Sequence, residues 1–116
     1  DRLAAALAAV RAEPPRLIAG DVLACLPEVL RALPSAGTLC LYHSFTLNQF
    51  AAAARAEFAA VLRDAARLRP FFRIGLEWGD GPAPELCLHV HTGEAVETRL
   101  LAHCDPHGAW IEWLAA

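Results

Sequence analysis

The sequence predicts an α/β domain in three layers, a part-parallel sheet flanked by helices and closed by a C-terminal antiparallel meander. Three observations carry that expectation. Up to residue 68, helical apolar spacing alternates with short extended runs. Thr38–His43 is an almost unbroken apolar run, the pattern of a strand covered on both faces as in a parallel sheet. After Pro70 the apolar period becomes two and stays so to the end of the chain.

The elements follow in order. Arg2–Arg11 reads as a helix, because Leu3, Leu7 and Val10 recur at i, i+4 and i+7. Pro14-Pro15 stops it. Arg16–Ala19 is a short apolar strand running into Gly20-Asp21. An irregular turn over 21–26 precedes a helix near 27–33, since Pro27 suits a first helical turn. Pro34–Gly37 is a loop, 38–43 the second strand, and Ser44–Asn48 the loop at its C-terminal end. A helix over about 50–68 buries Ala54, Phe58, Val61, Leu62 and Ala65, leaving Arg55, Arg63, Asp64 and Arg67 wet. Strands then cover 71–78, 86–90, 96–102 and 109–114, separated by turn-rich segments at 79–84, 92–94 and 105–108. The first three strands form a βαβαβ unit, whose parallel crossovers should be right-handed.

With 116 residues the chain has room for one domain. Its hydrophobic share of 56% owes much to alanine, and all ten basic residues are arginine, a composition typical of high-GC bacterial genomes. Net charge is −3, so the basic footprint of a nucleic-acid binder is missing. No apolar run reaches the roughly 18 residues that span a bilayer. Cys25, Cys40, Cys87 and Cys104 are scattered without a CxxC pair and read as reduced thiols of a cytoplasmic protein. The chain opens on Asp1 and holds no methionine. It therefore reads as the C-terminal part of a longer protein, with a missing N-terminal half or a second copy as partner for its apolar surface.

Sites of open α/β sheets lie beyond the C-terminal ends of the parallel strands. If 16–19 and 38–43 are neighbours, Asp21 and His43 approach each other there. Competing readings make Asp21 a helix cap and His43 a strand-end histidine satisfied by backbone. His43 beside Ser44 invites a hydrolase reading. Adjacent strand residues point to opposite faces, however, and no GxSxG elbow exists. His89 and His91 share a strand face, and with His103 they form a candidate metal set; the bland alternative is a wet sheet face. His107 reads as a tight-turn residue and Trp110 and Trp113 as core or interface anchors. Neither GxGxxG nor a Walker loop is present.

Gly20-Asp21, Leu26-Pro27, Leu33-Pro34 and His43-Ser44, with the tail Cys104-Asp-Pro-His-Gly-Ala-Trp-Ile-Glu-Trp113, resemble a bacterial domain family of unknown function. Its members read GD…LP…LP…HS and then CHPHGxWxEW; this chain departs at Asp105, where a histidine is expected. The layout also resembles the second half of a Rossmann-like, S-adenosylmethionine-dependent methyltransferase. That resemblance implies a three-layer Rossmann-like fold and S-adenosylmethionine as cofactor. It makes Asp21 the cofactor-binding acid and places His43 and Ser44 as catalytic residues beside the methyl acceptor. The glycine-rich cofactor loop of such enzymes is not in this chain.

Overall fold

The computed structural model describes residues 1–114. Helix α1 (Arg2–Ala12) is capped by Asp1, whose carboxylate accepts from the Leu3 amide at 3.0 Å. Its apolar stripe forms but meets nothing: the helix buries none of its residues. Residues 13–20 are extended and unpaired, so the expected strand at Arg16–Ala19 is absent; Leu17 is 86% exposed. A four-residue run with three apolar side chains makes a strand only when a neighbour completes its ladder, and none is paired with it among the described residues.

Helix α2 (Val22–Ala32) starts five residues before the expected helix. Asp21 is its cap and accepts from the amides of Leu23 (2.7 Å) and Ala24 (3.4 Å). Pro27 thus lies inside the helix, where it removes one backbone bond and costs about 3 kcal/mol. Burial of Leu26, with Leu23 and Leu30 beside it, offsets that penalty.

Strand β1 (Cys40–Ser44) leads through a 3-10 turn (Leu47–Gln49) into helix α3 (Ala52–Leu68) and back to strand β2 (Phe71–Trp78). Strands β3 (Pro84–Thr92), β4 (Ala95–Cys104) and β5 (Ile111–Trp113) complete one sheet in the order β1-β2-β3-β4-β5. Only β1 and β2 run parallel; the other pairs are antiparallel. The expected parallel trio is therefore a single parallel pair. Strand β1 is an edge, not a strand covered on both sides: Cys40, Tyr42 and Ser44 are exposed, Tyr42 to 83%.

Register assigns the two faces of the sheet. Leu41 and His43 pair with Arg73 and Gly75, which pair with His89 and Cys87; Phe71 pairs with His91. These residues share the face on which α2 and α3 pack. The core joins Leu26, Phe58, Leu62, Ala66 and Phe71, with Leu39 and Leu41 against it. The other face holds Phe72, Ile74, Leu76 and Trp78 with Leu86, Leu88 and Val90, and Phe72 and Trp78 remain exposed. Two layers replace the expected three, because both packed helices lie on one side. Trp110 and Trp113 are surface residues and not core anchors.

The hairpins follow local chemistry. Gly93 takes φ +57° at the first central position of a two-residue turn, as a II′ turn requires. Asp105 accepts from the amides of His107 (2.8 Å) and Ala109 (3.1 Å), and Gly108 at φ +77° completes the last turn. A carboxylate at 105 thus ties the tail motif, and His107 is the turn residue expected.

Removing the core should be felt far more than trimming α1. Leu62→Ala is expected to lower unfolding free energy by about 2–5 kcal/mol, and Leu7→Ala by less than about 0.5 kcal/mol. Asp21→Ala should lose about 0.5–2 kcal/mol as a lost cap. Urea midpoints with unchanged m-values check all three.

Candidate active site

The polar residues gather at the C-terminal end of the parallel pair, in a cleft of about 320 Å³. Strand β1 contributes His43, β2 contributes Arg73, Gly75 and Glu77, and β3 contributes Glu85, Cys87 and His89. Asn48 from the 3-10 turn and Arg55 from α3 close the rim.

Glu77 organises this end of the sheet. Its carboxylate accepts from the backbone amides of Thr46 (2.9 Å), Leu47 (3.0 Å) and Asn48 (3.1 Å), the start of the 3-10 turn. It also meets Nδ1 of His43 at 2.8 Å. Asn48 finishes the attachment: its side chain donates to the Trp78 carbonyl (3.1 Å) and accepts from the Trp78 amide (2.8 Å). The loop after β1 is thereby fastened to the end of β2. Within it Phe45 is held at φ +50°, a costly conformation for a bulky residue, while its amide donates to the Leu76 carbonyl at 2.8 Å. Burial alone would raise the Glu77 pKa. The bonds from Leu47, His43, Thr46 and Asn48 outweigh it and hold the carboxyl below its ordinary range.

The partners of His43 settle its tautomer. Nε2 lies 2.9 Å from Nη1 of Arg73, and a guanidinium only donates. Nε2 is therefore the acceptor, and Nδ1 carries the proton that it gives to Glu77. The imidazole is neutral, with 9% of its side chain exposed against 17% for Glu77. Phe58 meets it edge-on, with centroids 6.1 Å apart. Gly75 makes room for it: a Cβ there would stand 2.8 Å from Cε1 of the ring. That close approach is why a glycine interrupts an otherwise well-filled strand.

Arg73 also donates from Nε to Nε2 of His91 at 3.4 Å. His91 stacks on Phe71 (4.5 Å between centroids, 5° between planes), and its buried Nδ1 has no partner among the described residues. His89 pairs through Nδ1 with the Thr98 hydroxyl at 2.8 Å. Burial, then the charge of Arg73, push the His89 pKa down to about 4, and the same two causes lower that of His91. The Cys87 thiol is raised by burial and by Glu85, so it stays protonated in the cleft. It sits at a register shift between β3 and β4, a bulge that re-aims side chains at this end of the sheet.

The residues singled out from sequence fare differently. His43 lies in the cleft. Ser44 is on the opposite face of β1, exposed, so the two do not form a nucleophile–base pair. Asp21 is exposed, and its carboxylate holds the α2 cap. The strand meant to carry it to the sheet is not formed among the described residues. His89 and His91 do share a face, with ring centroids 6.4 Å apart. His103 pairs with Glu85, four residues along β3 from His89, which is roughly 13 Å at 3.3 Å per residue. No group of three metal-ligating side chains converges among the described residues. Arg73, Gly75, Glu77 and Asn48 were missed. The legible signal was the polar half of the alternation over 71–78, Arg73, Gly75 and Glu77 at every second position.

A family model described as an uncharacterized protein conserved in bacteria (DUF2332) matches residues 1–113. No curated protein and no solved structure matches the chain.

Acidification should destabilise the fold in two windows. The folded His89 binds its proton only near pH 4, below the ordinary value of about 6.5. Stability therefore falls as pH drops from about 6.5 to 4, while the unfolded chain takes up that proton. Glu77, also lowered, contributes stability above the ordinary carboxyl value of about 4.3, and that contribution is lost as pH falls through its folded value. Urea midpoints between pH 7 and 3 should show both declines. His89→Gln should flatten the upper one and Glu77→Gln the lower. A wild-type curve level down to pH 4.5 would contradict the assignment.

Proposed function

The chain belongs to this uncharacterised bacterial family, and from that footing we propose that its cleft is a small-molecule site with acid–base chemistry, His43 serving as the base. The observation that carries the reading is the tautomer of His43. One ring nitrogen is committed to a carboxylate, and the other keeps its lone pair, toward which Arg73 donates from the cleft. Such an imidazole accepts a proton at Nε2, and the carboxylate at Nδ1 stabilises the imidazolium that results. Glu77 is the positioning residue in this scheme. The amides of residues 46–48 keep it ionised and oriented.

The reaction step is proton abstraction. A substrate X–H group takes the place of Arg73 at Nε2; the X–H bond breaks, its electron pair stays on X, and the proton joins Nε2. Among proton-abstracting reactions, methyl transfer to X is the finer reading. Its support is the parallel β1–β2 pair joined through α3, with a cleft at the strand ends.

Long-range proton–nitrogen correlation spectra of histidine-labelled protein test the reading. At pH 7 His43 is expected to show a protonated Nδ1 and a bare Nε2. His43→Gln should then reduce any reaction the chain catalyses by about 10²–10⁴-fold in kcat. A proton found on Nε2 in the free protein would remove the base and the proposal.

A further inference from the structure

We propose that the ligand of this cleft carries an oxyanion, a carboxylate or a phosphate, that Arg73 grips, and that seating it uncovers Nε2 of His43. The inference rests on the acid–base reading above and adds a substrate class to it. Arg73 lies in the middle of β2, half-buried on the face that α3 covers. A guanidinium remains charged in any protein environment. Yet Arg73 is absent from the ion pairs of the described residues, which join Arg67 to Asp64 and Glu94, and Arg99 to Glu97, and the Glu77 carboxylate is bonded to His43 instead. Its two polar contacts go to nitrogens of neutral imidazoles, His43 at 2.9 Å and His91 at 3.4 Å. Nη2 has no hydrogen-bond partner among the described residues. Partly buried charges are ordinarily paired, because desolvation without a counter-charge is costly. The groups it bonds to directly are instead neutral, with the Glu77 carboxylate acting on it only from a distance, and its own charge helps to keep His89 and His91 uncharged.

The geometry suits an anion that arrives from solvent. A guanidinium fork matches carboxylate and phosphate oxygens two at a time. Arg55 lines the same cleft, and Leu47 supplies apolar wall for the body of a small molecule. Neither of the cleft's two carboxylates bonds to Arg73, although the charge of Glu77 favours its cationic form. Glu77 is held by His43 and three amides. Glu85 pairs with Glu77, four residues along the strand from the Arg73–His89 pair, and so stands roughly 13 Å away along the backbone.

The contact between Nη1 of Arg73 and Nε2 of His43 gives the arrangement a consequence. In the free protein it occupies the lone pair of the base. A guanidinium bonds an anionic oxygen with opposite charge and two parallel N–H groups, which a single neutral imidazole nitrogen cannot match. An oxyanion therefore draws Arg73 away, and the vacated position beside Nε2 receives an X–H group of the same ligand. The base becomes available only when an anionic ligand is seated.

Titration of the full chain with inorganic phosphate, phenyl phosphate and benzoate tests this, read by the Arg73 Nε–H and His43 imidazole resonances at constant ionic strength. Saturable binding of at least one probe is expected, with both residues shifting together. Phosphate-only or benzoate-only saturation identifies which oxyanion fits. Arg73→Gln should weaken that Kd by about tenfold or more, as should Arg73→Lys, which keeps the charge but loses the fork. Exposed Arg63→Gln should leave it unchanged. Near-UV circular dichroism confirms that the variants fold; should Arg73→Gln fail to fold, Arg73→Lys carries the comparison. Linear, non-saturating shifts with all three probes, or saturation unaltered in a folded Arg73 variant, would overturn the proposal. A bare Nε2 on His43 in that event leaves the acid–base reading standing, whereas a protonated Nε2 removes the reading whatever the anions do.

Discussion

The carboxylate of Glu77 is the constraint on which the rest of this molecule's functional end depends. One side chain at the end of β2 accepts from three consecutive amides of the loop that leaves β1 and from the imidazole that β1 itself carries. The parallel pairing of β1 and β2 fixes where that carboxylate meets the loop. The loop in turn supports the unusual backbone of Phe45 and sets the turn that feeds α3. Loss of this one carboxylate would leave four donors seeking partners at one place. The cost of burying the carboxylate is offset by donors that favour its charged form. Structure and electrostatics therefore share one residue.

The second organising fact is which face of the sheet the helices cover. A meander with one apolar and one polar face ordinarily buries the apolar one. Here α2 and α3 lie on the face that holds Arg73, Glu77, His89 and His91. They reach it through its one strongly apolar end, where Phe71 and Leu41 meet Leu26, Phe58 and Leu62. Toward the C-terminal ends of β1 and β2 the same face turns polar and the cleft opens. Core and cleft are thus two ends of one surface. Phe58 belongs to both, buried in the core and edge-on to the His43 ring. The apolar face, with Phe72 and Trp78 exposed, carries no packed helix.

Much of the fold was legible. The strand at 71–78, the helix ending at 68 and the tight turns at 92–94 and 105–108 followed from period, proline and glycine signals. The strand at 16–19 was not real, because three apolar residues in a row carry no information about whether a neighbour exists. Helix α2 began earlier than expected, because the cap at Asp21 outweighed the disruption at Pro27. The layering was illegible for a different reason: the face that helices cover is decided by a few residues such as Phe71, against the average polarity of the strand. His43 was found because it ends a parallel strand. Its partners were missed because Arg73 and Glu77 reach it across the sheet, 30 and 34 positions away in the chain. Gly75 was the available hint, a glycine inside a strand being a sign that something approaches closely.

Amide hydrogen exchange at Thr46, Leu47 and Asn48 tests the role of Glu77 most directly. In the wild-type chain these three amides should be protected, since each donates to the carboxylate. In Glu77→Ala they should exchange faster by at least about tenfold, while amides in the middle of β3 keep their wild-type rates. Unchanged protection at all three in that variant would contradict the account.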